Sequence, residues 1–418
     1  METLPRYITP KLLDALKVNP VVFLNGARQV GKSTIAISVP NSLNSAPAAT
    51  YMTFDSATTM AAAAAAPEAF LSSYKGTLII DEVQLVPDIF RALKFAVDEL
   101  RKNDKEHANG KYLLTGSANI LALPKLSDAL VGRMSVLTLH PFASAEASQG
   151  KGDAIEKLIA MDFDDLDSRK LSLLDAIRLA TFPEIADKSD AQRQLWYDGY
   201  ITTMLQRDVR QIAELEKISL LPTLLRALAA RAGGLMNDSD IARDVGLNSV
   251  TSRFYRHILK MMFITFDVEP WYQNIGKRLV KASKGFLSDT GMMCHMLGLH
   301  LEDVYNRMPD LFGHVLENFV ATELQKLLGF SDTQGKLFHF RTSDGKEIDF
   351  VIELPDGSLF AIEVKKSGSV NIQDFGGIQL LAKETGKKFI GGVVLHNGKE
   401  AVPFGQNLWT VPFNILWH

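Results

Sequence analysis

Residues 21 to 34 read VVFLNGARQVGKST: an apolar run stops at one glycine, and Gly-Lys-Ser begins five residues later. The spacing Gly26-x-x-x-x-Gly31-Lys32-Ser33 is that of a loop whose backbone N–H groups close around phosphate oxygens. Val21 to Leu24 predict a short buried parallel strand, and Ser33 to Ile37 open a helix. The glycines let the backbone turn inward, and the positive end of the following helix adds to the attraction for an anion. This predicts nucleotide contacts from Gly26, Ala27, Arg28, Gln29, Val30, Gly31, Lys32, Ser33 and Thr34. Lys32 would reach the β and γ phosphates of ATP, and the Ser33 hydroxyl would ligate Mg²⁺. The same letters in an ordinary strand-to-helix turn would carry none of this.

A loop of this kind needs a parallel sheet behind it, and two more apolar strands follow. TLIIDE (77–82) is a buried strand ending in two acids. Asp81 would hold the magnesium ion through water, and Glu82 would polarise the attacking water as general base. KYLLTGSAN (111–119) ends in Thr115, Gly116 and Ser117, where a polar group would orient that water or simply close a turn. In LSDALVGRMSVLTLHPF, Arg133 precedes another strand; it would either reach the γ-phosphate of a neighbouring subunit or compensate a helix end.

At 418 residues the chain has room for two to four domains. Cys294 is its one cysteine, which excludes an internal disulfide and suits a reducing compartment. There is no run of about 18 apolar residues to span a membrane, and METLPRYITP lacks an apolar signal core. A cytoplasmic protein is therefore expected. The net charge of −3 gives no overall pull toward nucleic acid, so such binding would need local patches.

The text alternates strand and helix signals to about 148, turns helical over 149–230, and carries a helix-turn-helix pattern within 231–300. A last α/β segment covers 301–418. In DSDIARDVGLNSVTSRFYRHILK (238–260), Asp238 would cap the first helix, Gly246 would make the turn, and Asn248 or Ser249 would cap the second. Arg253, Arg256 and Lys260 share one face of that second helix. Lys277, Arg278, Lys281 and Lys284 follow where a wing would lie. Residues 231–285 hold nine Lys or Arg against five Asp or Glu, either a footprint for a phosphate backbone or a solvated face.

EIDFVIELPDGSLFAIEVKK (347–366) permits a register calculation. Pro355-Asp356-Gly357 suits a three-residue hairpin loop with glycine in the left-handed position. That sets Ile352 against Phe360 and Phe350 against Ile362, giving one apolar face, and puts Asp349 across from Glu363. Facing carboxylates repel, and a divalent cation between them would remove the cost. Ordinary charges on an exposed strand face are the alternative.

GARQVGKST, TLIIDEVQ, LLTGSAN and LVGR, followed by TFPE, YITTMLQRDV and GKRLVKASKGFLSDTG, resemble prokaryotic AAA+ ATPases with a nuclease-like C-terminal domain of unknown function. The resemblance implies an α/β chain with a P-loop AAA+-type core (1–148) and a helical connector or lid (149–230). A winged-helix domain (231–300) and a restriction-endonuclease-like domain (301–418) would follow. Thr115 would then act as sensor 1 and Arg133 as an arginine finger in a homo-oligomer, favoured as a hexamer. The last domain would be of the PD-(D/E)XK type. Asp349 and Glu363, joined by Glu317, would hold a second Mg²⁺ or Mn²⁺, with Lys365 activating water. Ile348 stands where that motif has proline. The expected function is ATP-driven processing or remodelling of DNA, with metal-dependent cleavage, or else a nucleotide-switched binding protein whose nuclease fold is inactive and whose partner is a protein.

Overall fold

The computed structural model describes residues 4–42, 48–103, 108–117, 132–164, 171–205, 217–274, 281–342 and 344–418, together with 166, 209, 276 and 278. The chain divides into two compact units, Met1–His140 with Met261–Phe263, and Pro141–Lys260 with Ile264–His418.

The first unit is built on five parallel strands: β1 (Val21–Asn25), β2 (Thr50–Thr53), β3 (Leu78–Asp81), β4 (Tyr112–Gly116) and β5 (Met134–Thr138), in the order β2-β3-β4-β1-β5. Every residue of β1, β3 and β4 is buried. Strands covered on both faces read as continuous apolar runs, and VVFL, LII and YLL do so. Phe23, Ile80 and Leu114 pack with Phe54, Phe90 and Leu93 beneath them. Because β4 lies between β1 and β3, Thr115 pairs with Leu24 on one side, while Leu114 pairs with Ile80 on the other. The strand order therefore carries Thr115 to the ends of both functional strands.

In the second unit the helical text forms Ala154–Ala160, Leu173–Leu179, Asp190–Thr203 and Leu221–Ala229. The helix-turn-helix follows as Asp238–Val245 and Ser249–Met261. Gly246 takes the left-handed conformation at φ 77°, and the Asn248 side chain accepts from Thr251 N–H at 2.8 Å. The first cap differs from expectation: Asn237, one residue earlier, accepts from the N–H groups of Ser239 and Asp240. Asp238 is thereby released for other partners.

Eight strands make the second sheet. They are β6 (Thr265–Pro270), β7 (Lys284–Leu287), β8 (Lys336–Arg341), β9 (Glu347–Glu353), β10 (Leu359–Lys365), β11 (Phe389–His396), β12 (Val402–Gly405) and β13 (Leu408–Pro412). Their order is β12-β13-β11-β10-β9-β8-β6-β7. The hairpin takes the calculated register: Phe360 pairs with Ile352 and Ile362 with Phe350. Leu354 N–H donates to Ser358 O at 2.9 Å, and Gly357 has φ 82°. A boundary at 300/301 would divide this sheet, because β6 pairs in parallel with β8, Glu269 opposite Phe338. Lys284, the last residue of the would-be wing, opens the edge strand of the C-terminal sheet. The 22-residue helix Pro309–Phe330 is bound to it by Asn318, whose amide exchanges hydrogen bonds with Leu287 N–H and O. Among the described residues no helix is long and apolar enough to cross a membrane.

Candidate functional site

At the end of β1 the chain makes the turn that the glycines predicted. Gly26 has φ 144°, and a Cβ there would lie 2.1 Å from Leu139 O. No residue with a side chain fits. Gly31 (φ 96°) and Gln29 (φ 61°) are also left-handed. Lys32 is buried, and its ammonium donates to Gly26 O at 3.0 Å and Ala27 O at 2.7 Å. Arg6 braces the loop from outside, donating to Val30 O at 2.6 Å and His140 O at 2.7 Å. Nothing near the motif in sequence announces Arg6. Ser33 and Thr34 open the helix Lys32–Ser42, Ser33 half-buried and Thr34 exposed. Arg28 is half-buried, Gln29 is exposed and Val30 is buried.

Asp81 is buried at the end of β3, with Thr115 donating to Oδ1 and Tyr51 to Oδ2 at 2.8 Å. Burial and then Asp81 hold the Tyr51 hydroxyl well above its ordinary range, so it stays a donor. Glu82 has φ 56° and ψ 43°, a left-handed conformation that costs a non-glycine residue about 1 kcal/mol. Gln84 donates to Glu82 Oε2 and reaches Ser117 Oγ at 3.3 Å. Lys32, Asp81, Glu82 and Thr115 thus stand at the ends of three adjoining strands. These donors and acceptors suit a nucleoside triphosphate and Mg²⁺: a loop of N–H groups open to left-handed turns, a buried ammonium, and a buried carboxylate with an adjacent second acid. Arg133 is bound by Asp98 of the same unit through two hydrogen bonds, 2.7 and 3.0 Å. Residues 126–131 of LSDALVGR lie outside the described residues.

In the second unit Asp349 and Glu363 do come together. The Asp349 carboxylate accepts Val364 N–H at 3.0 Å, and Asp349 N–H faces Glu363 Oε2 at 3.4 Å. Glu317 joins them from the helix Pro309–Phe330. The fourth member was expected elsewhere: Lys284, assigned to a basic wing, is buried and places its ammonium 2.7 Å from Glu317 Oε1 and 3.2 Å from Asp349 Oδ1. Burial opposes that charge, but Asp349 and Glu317 outweigh it and hold Lys284 above its ordinary range. Burial, then Asp349, pushes Glu317 up to about 7 and Glu363 up to about 9. Lys365 stands 3.9 Å from Glu363 and 3.5 Å from Asp374, which sequence reasoning missed. Among the described residues no three His, Cys, Asp or Glu side chains form a group able to hold a metal ion. An ammonium therefore lies among the carboxylates of the expected Glu317–Asp349–Glu363 metal site.

The residues of the expected basic stripe pair with acids of their own unit. Asp238 accepts from Arg253 at 2.8 Å and also from Arg256, while Asp267 takes Lys260 at 2.8 Å. Arg278 is clamped by both oxygens of Glu353 at 2.6 and 2.8 Å, with its guanidinium over the rings of Trp271 and Phe338. These charges are balanced within their own unit because the cap moved to Asn237 and the wing joined the sheet. Lys277 lies outside the described residues.

The first unit is an α/β unit with a five-stranded parallel sheet and an AAA-like core. Residues 18–148 match the family described as AAA domain. Residues 170–303 and 312–416 match two families described only as domains of unknown function. An uncharacterized protein of Mycobacterium tuberculosis is 28% identical over 363 residues, 87% of this chain and 74% of that protein. One of Haemophilus influenzae is 25% identical over 296 residues, 69% of this chain and 66% of that protein. Among solved structures, the replication initiator DnaA bound to AMPPCP and single-stranded DNA is 14% identical, with 60% of this chain and 86% of that one covered and a TM-score of 0.29.

Proposed function

We propose that the protein is an AAA-type ATPase that binds ATP with Mg²⁺ at the β1 loop, hydrolyses it there, and uses the second unit as a binding module. The observation that carries the reading is the convergence of Lys32, Asp81, Glu82 and Thr115 at adjoining strand ends. Loop N–H groups and Lys32 would cradle the phosphates, with Lys32 exchanging the carbonyls of Gly26 and Ala27 for phosphate oxygens. Ser33 and Asp81 would hold Mg²⁺, which neutralises charge developing on the transferred group. Thr115 keeps the Asp81 carboxylate oriented. Glu82, steered by Gln84, would take the proton of the attacking water.

Of the two readings for the rest of the chain, the nucleotide-switched binding protein is favoured over a DNA-cutting machine. Its support is the internal pairing of Arg253, Arg256, Lys260 and Arg278, and the ammonium at the carboxylate cluster. Self-assembly belongs to the proposal through the resemblance to AAA+ proteins, and the partner of the second unit is a protein. Two measurements test it together. Lys32→Ala should lower ATP affinity at least tenfold, because the loop loses its point charge. Wild-type protein with Mg²⁺ or Mn²⁺ should leave a panel of single- and double-stranded DNA uncut. Unchanged ATP affinity would remove the first half, and cleavage abolished by Asp349→Ala would remove the second.

A further inference from the structure

We infer that Lys284 is the resident counter-ion of the Glu317–Asp349–Glu363 cluster, and that this site takes a tethered ammonium in place of a divalent cation. The inference is independent of the ATPase reading.

Three observations carry it. The first is occupancy. Lys284 Nζ is 2.7 Å from Glu317 Oε1 and 3.2 Å from Asp349 Oδ1, on a side chain only 4% exposed. Divalent cations take carboxylate oxygens at about 2.0–2.6 Å, so an ion on these two oxygens would overlap the ammonium.

The second is how firmly the lysine is presented. Lys284 opens β7, pairs with Val268 of β6 and bridges to Leu235. At the other end of β7 the buried amide of Asn318, the residue after Glu317, grips both the N–H and O of Leu287. The helix that supplies the carboxylate thus also holds the strand that supplies the ammonium.

The third is the fixed position of the carboxylates. Gly233, at φ 80°, lies so close that a Cβ there would fall 2.7 Å from Glu317 Oε2. Glu317 has backbone on its far side and Lys284 on its near side. Asp349 is held at its second oxygen by Val364 N–H at 3.0 Å. Entry of a metal would require Lys284 to leave, stranding a buried ammonium without its partners, which is strongly unfavourable. The cluster therefore joins β7, β9 and the helix Pro309–Phe330 as one unit.

Mn²⁺ binding to the full chain without nucleotide tests this, with free Mn²⁺ read by electron paramagnetic resonance. Wild type and Asp349→Asn should bind Mn²⁺ alike. Lys284→Met, which keeps the length of the side chain and removes its charge, should gain a site at least tenfold tighter, and Lys284→Met/Asp349→Asn should lose it. Wild-type binding that Asp349→Asn abolishes would overturn the inference. So would folded Lys284→Met protein that gains no site. If Lys284→Met does not fold, the comparison of wild type with Asp349→Asn still decides.

Discussion

Glu82 is the residue on which the proposed nucleotide site turns, and its backbone is left-handed. A left-handed glutamate after a buried strand persists only where its surroundings over-determine it; here Thr115 Oγ1 faces its N–H and Gln84 holds its carboxylate. Gln84→Ala should slow ATP turnover about tenfold or more, with ATP affinity changed less than twofold, because Gln84 positions the base and does not touch the loop. An equal loss of affinity would instead give Gln84 a binding role. The loop, Asp81 and Glu82 were legible in sequence because their spacing is local. Tyr51 and Arg6 were not, since tertiary packing brings them from distant sequence, and Gln84 was not, since nothing in the letters after Glu82 marks its role. His339 offers a second test at this scale. Burial, and then the charge of Lys284, lower it from its ordinary 6.5 to about 4. As pH falls the unfolded chain takes the proton first, so this contribution is whole above about 6.5 and lost by about 4. His339→Phe should flatten that part of the stability profile, by up to about 3 kcal/mol. Parallel profiles would refute the assignment.

Among the elements, the β9–β10 hairpin shows what alternation can deliver and where it stops. Its apolar face and left-handed glycine sufficed to set the register. The same reasoning placed Lys284 and Arg278 on a solvent-facing wing, because nothing in a short hairpin reports the distant strand it will join. With β6 paired in parallel to β8, Lys284 is buried and Arg278 half-buried, and acids separated by many residues are their partners. Likewise, the basic stripe of the helix-turn-helix was visible, but the shift of the cap to Asn237 that freed Asp238 to neutralise it was not. Arg278→Ala should therefore destabilise the second unit by about 2–3 kcal/mol, since it strands Glu353 and uncovers Trp271. Chemical denaturation gives this value, and a change below about 0.5 kcal/mol would return Arg278 to the surface. Arg253→Glu should leave affinity for unrelated DNA sequences within about twofold; a large, salt-dependent loss would restore the DNA-reading role.

At the scale of the whole molecule, the chain joins a compact unit on five parallel strands with an AAA-like core to a larger unit of helices and an eight-stranded sheet. The first unit gives way to the second between His140 and Pro141. In the second unit β6 and β7 complete a sheet whose other strands come from residues after 335. Arg133 bears on assembly. Its two bonds to Asp98 favour the reading of a paired surface residue over one that acts on a neighbour. Mixing Arg133→Ala with Lys32→Ala protein should then recover no turnover, whereas recovery would assign Arg133 to the adjacent subunit. The central claim, that the β1 loop and the β3 acids form a hydrolytic site, is tested most directly by ATP turnover in Glu82→Gln protein at saturating ATP. That protein should bind ATP with wild-type affinity and hydrolyse it about a hundredfold or more slowly. Turnover at the wild-type rate would contradict it.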